Sequence, residues 1–149
     1  KSTFHRVLED DAYSKINNLL DLKKRDDQIK KVVMCSGKVY YDLIEAREKY
    51  KNNKVTFVRI EQLYPFPAKT LANILKRYTK ASFFWCQEEP KNMGAWTFLQ
   101  PLFTDLLHGC NVKNQIIEYV GRKESASTAT GLFKKHVEEQ NKILEELFD

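Results

Sequence analysis

Glycine is scarce in this sequence, five in 149 residues, and none of it falls in the Gly-x-Gly-x-x-Gly spacing that lets a backbone wrap a pyrophosphate. A P-loop signature is absent as well, so dinucleotide and nucleoside-triphosphate sites are poorly supported. Cysteine is limited to Cys35, Cys86 and Cys110, an odd number with no Cys-x-x-Cys pair and no histidine at ligand spacing. That pattern speaks against a zinc site or a disulfide framework and for a reducing compartment, bacterial cytoplasm or mitochondrial matrix. The three histidines, His5, His108 and His136, are scattered, and no triad can be built around them. No apolar run approaches the ~20 residues of a membrane span, and a soluble chain is expected. Residue 1 is lysine, which is read as the start of an excised or processed piece; a missing leader is therefore uninformative.

What the sequence has is charge of both signs. It carries 25 basic and 20 acidic residues, net +5. The signs are interleaved, as in Glu45-Ala46-Arg47-Glu48-Lys49, which describes a solvated surface better than a nucleic-acid stripe. A chain of this length makes one domain, residues 1–149, with no need of a covalent staple.

The most informative stretch runs from Ser82 to Trp96. Ser82-Phe83-Phe84-Trp85-Cys86 is too apolar for a strand with a wet face and predicts one buried on both sides. Gln87-Glu88-Glu89 breaks the run, and Pro90 is expected to stop the ladder. A helix follows over about 95–107. The same alternation recurs along the chain. A weak strand is expected over 3–9 and a short helix within 12–30; a buried strand over 31–35 precedes a helix from about Lys38 with Val39, Leu43, Ala46 and Tyr50 on one face. Then come a strand over 55–60, a helix over 68–78 marked by Leu71, Ile74, Leu75 and Tyr78, a strand over 115–120, and a terminal helix over about 132–147. Strands alternating with helices mean βαβ units and a mainly parallel sheet, hence a three-layer α/β/α sandwich of four or five strands.

Polar residues close each strand, and those ends should share one edge of the sheet, where open α/β sheets meet ligands and partners. Ser36-Gly37 before a helix either caps it or offers backbone N–H groups to an anion. Glu88 and Glu89 are adjacent on extended backbone and point apart, so they cannot serve one reacting bond; one could instead pair with an arginine such as Arg122. Trp85 and Trp96 suit core or interface equally. The loop 125–131, which holds Ser125 and Ser127, is small and hydroxyl-rich. Residues alone thus predict a polar sheet edge with no catalytic residue and no metal-ligand set.

Four segments in order resemble a known family. They are Val32 to Leu43, Val58 to Pro67 (Val-Arg-Ile-Glu-Gln-Leu-Tyr-Pro-Phe-Pro), Trp85 to Trp96 (Trp-Cys-Gln-Glu-Glu-Pro-Lys-Asn-Met-Gly-Ala-Trp), and Tyr119-Val120-Gly121-Arg122 followed by Ser125-Ala126-Ser127. Together they are similar to the C-terminal region of 2-oxoglutarate dehydrogenase E1 components. The resemblance implies a transketolase C-terminal-like domain with a five-stranded mixed sheet whose first strand, residues 4–9, is antiparallel. It also implies a larger homodimeric enzyme that uses thiamine diphosphate and Mg2+ in upstream domains, none of it bound in this chain, and passes succinyl groups to an E2 succinyltransferase. Thr128 departs from the proline that many relatives have after Ser-Ala-Ser. On this reading Ser36, Gly37, Gln87, Glu88, Glu89, Asn92, Trp96, Arg122, Ser125 and Ser127 are candidates for a subunit contact or an adjoining effector pocket. The competing expectation is a stand-alone regulatory module for an anionic metabolite such as a nucleotide or acyl-CoA. Neither reading involves nucleic acid or a membrane.

Overall fold

The computed structural model describes residues 4–10, 26–126 and 133–148. Its sheet has five strands in the order β1-β3-β2-β4-β5. The strands are β1 (Val7–Glu9), β2 (Lys31–Cys35), β3 (Val55–Ile60), β4 (Ser82–Pro90) and β5 (Ile117–Arg122). β1 runs antiparallel to β3, and β2 through β5 are mutually parallel. The mixed, mostly parallel sheet expected from the resemblance is therefore present. The helices described are α1 (Val39–Tyr50), α2 (Ala68–Leu75), α3 (Trp96–His108) and α4 (Phe133–Phe148).

The period of two along each strand divides the core. Val32, Met34, Val58, Ile60, Phe83 and Trp85 face one side, against Leu71 and Leu75 of α2 and Leu99 and Phe103 of α3. Val33, Cys35, Val55, Phe57 and Cys86 face the other, against Val39 and Leu43 of α1 and Ile143 and Leu147 of α4. Strands apolar on both faces are what two helical layers require. The Lys31 ammonium at the start of β2 donates to the Leu147 carbonyl at the end of α4, at 3.0 Å. That places a cation on the negative end of the helix dipole.

Several expectations need correction. β4 does not stop before Pro90: a register shift between Cys86 and Pro90 lets the proline lie opposite Arg122, because a bulge needs no N–H from it. Of the strand expected over 3–9, residue 3 lies outside the described residues and the strand covers 7–9, with Phe4 exposed. The helix expected within 12–30 falls largely on residues outside those described; residues 26–28 form a single 3-10 turn. α2 ends at Leu75, after which Arg77 and Tyr78 bond back three residues to Ile74 and Leu75, turning Tyr78 into the core. β5 begins two residues later than expected, pairing from Ile117 opposite Phe83, and ends two residues later, with Gly121 and Arg122 still in the sheet.

All three cysteines are free thiols, and Cys35 and Cys86 are fully buried. Burial pushes the Cys35 thiol up to about 12 and raises Cys86 further. At pH 8 the Cys35 thiolate fraction is then about one in ten thousand, far too small for attack on a disulfide reagent. Ellman titration of the native protein should leave Cys35 and Cys86 unreacted until denaturant is added. Fast labelling of either in the native state would contradict this burial.

Candidate functional site

β2 and β4 are neighbours, yet the helices that follow them leave on opposite faces of the sheet, α1 on one and α3 on the other. The carboxyl ends of these two strands therefore border a crevice, the position where doubly wound sheets receive partners. Ser36-Gly37-Lys38 forms one bank and Gln87-Glu88 the other; the Lys38 ammonium lies 3.8 Å from a Glu88 carboxylate oxygen across the gap. That pair is largely exposed on the lysine side and holds little energy. Gly37 has φ +75°, a left-handed conformation that glycine adopts without a Cβ clash. Ser36 is not the helix cap: Lys38 occupies that position with no side-chain cap bond. The Tyr40 and Tyr41 N–H groups bond to the carbonyls of Gly37 and Lys38 instead.

Gln87 is the organising residue of the edge. Its side chain is only 4% exposed. Its carboxamide oxygen accepts from the Trp85 indole N–H at 2.8 Å and from the Trp96 backbone N–H at 3.1 Å. Its amide nitrogen donates to the carbonyls of Glu89, Pro90 and Met93, at 3.2, 3.0 and 2.7 Å. One side chain thus ties the end of β4, the loop beyond it and the first turn of α3. Gly94, at φ +67°, makes room for it, since a Cβ there would lie 3.1 Å from the Gln87 carboxamide.

β5 completes the edge. Tyr119 packs against Trp96 with ring centroids 5.4 Å apart, and its hydroxyl donates to the Arg122 carbonyl at 2.7 Å. Burial pushes this phenol up to about 12. A Cβ on Gly121 would meet the Tyr119 hydroxyl at 2.5 Å and the Gln87 carbonyl at 2.9 Å, so this crossing admits only glycine. Asn92 holds Ser125 by a reciprocal pair: its amide donates to the Ser125 carbonyl at 2.8 Å and its oxygen accepts the Ser125 N–H at 3.0 Å. Arg122 pairs with Glu139 of α4 at 2.8 Å, and the ion-pair partner found for Glu88 is Lys38. Glu89 is exposed, and Ser127 lies outside the described residues.

Ser36, Gly37, Gln87, Glu88, Asn92, Trp96, Arg122 and Ser125 therefore share one edge, but several of them are occupied with holding it together. Tyr64 of the β3–α2 loop adds an exposed ring, 82% accessible, beside Phe98 of α3 at 6.5 Å between centroids. The turn Gln62-Leu63-Tyr64 is among the strand ends expected at this edge from the sequence, whereas nothing in the sequence singles out Phe98. A cleft of about 280 Å³ between the end of β5 and α4 is lined by Arg122, Lys123, Lys135 and Lys142 but also by Glu124, Glu139 and Glu146. Among the described residues no three His, Cys, Asp or Glu side chains gather as a metal site, and no helix is long and apolar enough to cross a membrane.

Comparison with known proteins adds scale to this geometry. The family described as 2-oxoglutarate dehydrogenase C-terminal matches residues 1–148. Proteins named 2-oxoglutarate dehydrogenase E1 component from Brucella anthropi, Brucella ovis and Brucella abortus are each 50% identical to the chain over 146 residues. Those alignments cover 98% of this chain and 14% of each relative.

Proposed function

Because the chain belongs to the 2-oxoglutarate dehydrogenase C-terminal family, we propose that it serves as the C-terminal domain of an E1 component and supplies subunit contact and support rather than catalytic groups. The observation that carries this reading is the alignment itself, which spans nearly all of this chain and only 14% of each relative. The E1 component would decarboxylate 2-oxoglutarate and pass the succinyl group to the lipoyl arm of an E2 partner. Thiamine diphosphate would act as electron sink for the carbanion, in domains upstream. The described residues assemble no carboxylate cluster suited to a Mg2+-diphosphate group, so no step of the chemistry is assigned to them.

The part proposed for this chain is a rigid, partner-facing edge. Trp96 is half-buried, fixed by Gln87 at its backbone and by Tyr119 at its ring, which leaves part of a large aromatic surface for a second subunit of a homodimer. In the full-length enzyme, Trp96→Ala should shift sedimentation from dimer toward monomer, with Trp96→Phe intermediate. An unchanged dimer for both variants at the lowest accessible concentration removes this contact role.

A further inference from the structure

We infer that the opposite, amino-terminal edge of the sheet is a docking surface for a carboxylate-rich peptide segment of a partner protein, held by Lys30, Lys54 and Lys80. Each lysine lies just before a strand: Lys30 before β2, Lys54 before β3 and Lys80 before β4. Because those strands are neighbours in parallel register, with Lys31 opposite both Val55 and Ser82, the three stems arrive side by side. All three are exposed, and they line one depression of about 590 Å³.

The distribution of charge separates this place from the rest of the surface. Several cations elsewhere are paired: Lys38 with Glu88, Arg47 with Asp10, Arg59 with Glu61, and Arg77 with Glu9 and Asp26. The cleft beside α4 sets three glutamates among its cations. Among the described residues, the one carboxylate lining the amino-edge depression is that of Asp27, and the ammonium groups of Lys30, Lys54 and Lys80 form no ion pair or hydrogen bond. Three like charges held together beside a single carboxylate leave a positive potential that an anionic partner neutralises.

The lining also selects the kind of anion. Among the described residues no aromatic ring lines the depression, so none of them stacks a nucleic-acid base there. The Lys30, Lys31 and Ser82 N–H groups are already bonded to the carbonyls of Lys54 and Lys30, so no backbone nest is left to cradle a compact phosphate. What is left is point charges on flexible stems, spread over about 10 Å at strand spacing, the reach of an extended segment of three or four residues. Glutamate or aspartate side chains along a peptide match that spread.

The test is fluorescence anisotropy with fluorescein-labelled deca-glutamate, titrated against the protein at low and at physiological salt. Binding should be saturable at low salt and weaken as salt rises. The triple variant Lys30→Gln/Lys54→Gln/Lys80→Gln should bind about tenfold less tightly, the sum of three exposed pairs of ordinary strength. The charge-matched control Lys123→Gln/Lys135→Gln/Lys142→Gln, placed in the α4 cleft, should bind like wild type. Equal weakening by both triples would reduce the effect to net charge and overturn the site. Absence of saturable binding, or tripolyphosphate bound through the same lysines more tightly than deca-glutamate, would overturn it as well. Both triples remove charge at exposed positions and leave the core untouched, and circular dichroism of each should match wild type.

Discussion

Removing the Asp10 carboxylate should be among the most damaging single changes to this fold. Asp10 follows β1, is 2% exposed, and faces Arg47 of α1, itself 4% exposed. Its two oxygens accept from both terminal nitrogens of the guanidinium, one bond measuring 2.8 Å. They also accept from the Phe57 N–H at 3.0 Å and the Thr56 hydroxyl at 3.3 Å. The guanidinium lies over the Phe57 ring, 4.7 Å from its centroid. Two ions out of water are tolerated only while this set is complete. Asp10→Ala strands a buried cation and should cost about 3–5 kcal/mol, lowering Tm by roughly 10 °C or more for a domain of this size. Arg47→Met should cost a similar amount, because it strands the carboxylate instead. The double variant Asp10→Leu/Arg47→Met should recover much of the loss, since apolar replacement of a whole buried pair is often near neutral. Urea denaturation of the two single variants and the double completes the cycle; small, additive losses would show that the pair is not coupled. The cost is also local in its consequence, because Asp10 secures the antiparallel strand β1 at the sheet's edge.

That pair shows where sequence reading falls short. The parallel strands were legible because each is apolar at consecutive positions, and the helices because their apolar residues recur at three and four. β1 offered three residues of weak alternation, and its antiparallel sense came only from the resemblance. Arg47 was visible in principle. It stands one residue after Ala46 and four after Leu43, on the buried stripe of α1, so a charge there called for a buried partner. Its partner, thirty-seven residues earlier in the chain, has no local signal, because the contact depends on which strand occupies the sheet edge. Gln87 was singled out, but for the wrong reason. Phe83, Trp85 and Gln87 fall at alternate positions of one strand, so the period that buries the first two carries Gln87 inward as well. A polar residue carried into the core by the strand period is first a candidate for internal bonding, and its five contacts use all four bonding sites of the carboxamide. The pairing of Arg122 with Glu139 was likewise out of reach, since it depends on how α4 crosses the end of β5.

Gln87→Leu should be as costly as the loss of Asp10, and its effect should be concentrated at the carboxyl edge. The change removes a carboxamide whose two donors and two acceptor sites are all in use, and leaves the Trp85 indole N–H and the Trp96 backbone N–H facing hydrocarbon. The carbonyls of Glu89, Pro90 and Met93 lose their common donor. Each buried group left unsatisfied costs about 1–3 kcal/mol, and water entering a loosened loop recovers part, so a net loss of roughly 3–5 kcal/mol is expected. Gln87→Glu separates the two halves of the carboxamide. It keeps an acceptor for both N–H groups but turns a second oxygen toward three carbonyls, which disfavours the ionised form. The folded-state pKa of that glutamate is then raised above its unfolded value of about 4.3. A raised folded pKa means stability that is fully present below the unfolded pKa and lost as pH rises through the folded one. Relative to wild type, Gln87→Glu should therefore be nearly as stable at pH 4 and clearly weaker at pH 8, while the deficit of Gln87→Leu should not vary with pH. Thermal unfolding across that range reads both. In near-ultraviolet circular dichroism the Trp85 and Trp96 signals should collapse in Gln87→Leu before the far-ultraviolet signal does. A pH-independent deficit in Gln87→Glu would mean that the amide nitrogen does not hold the loop, and the rigid edge proposed for subunit contact would lose its physical basis.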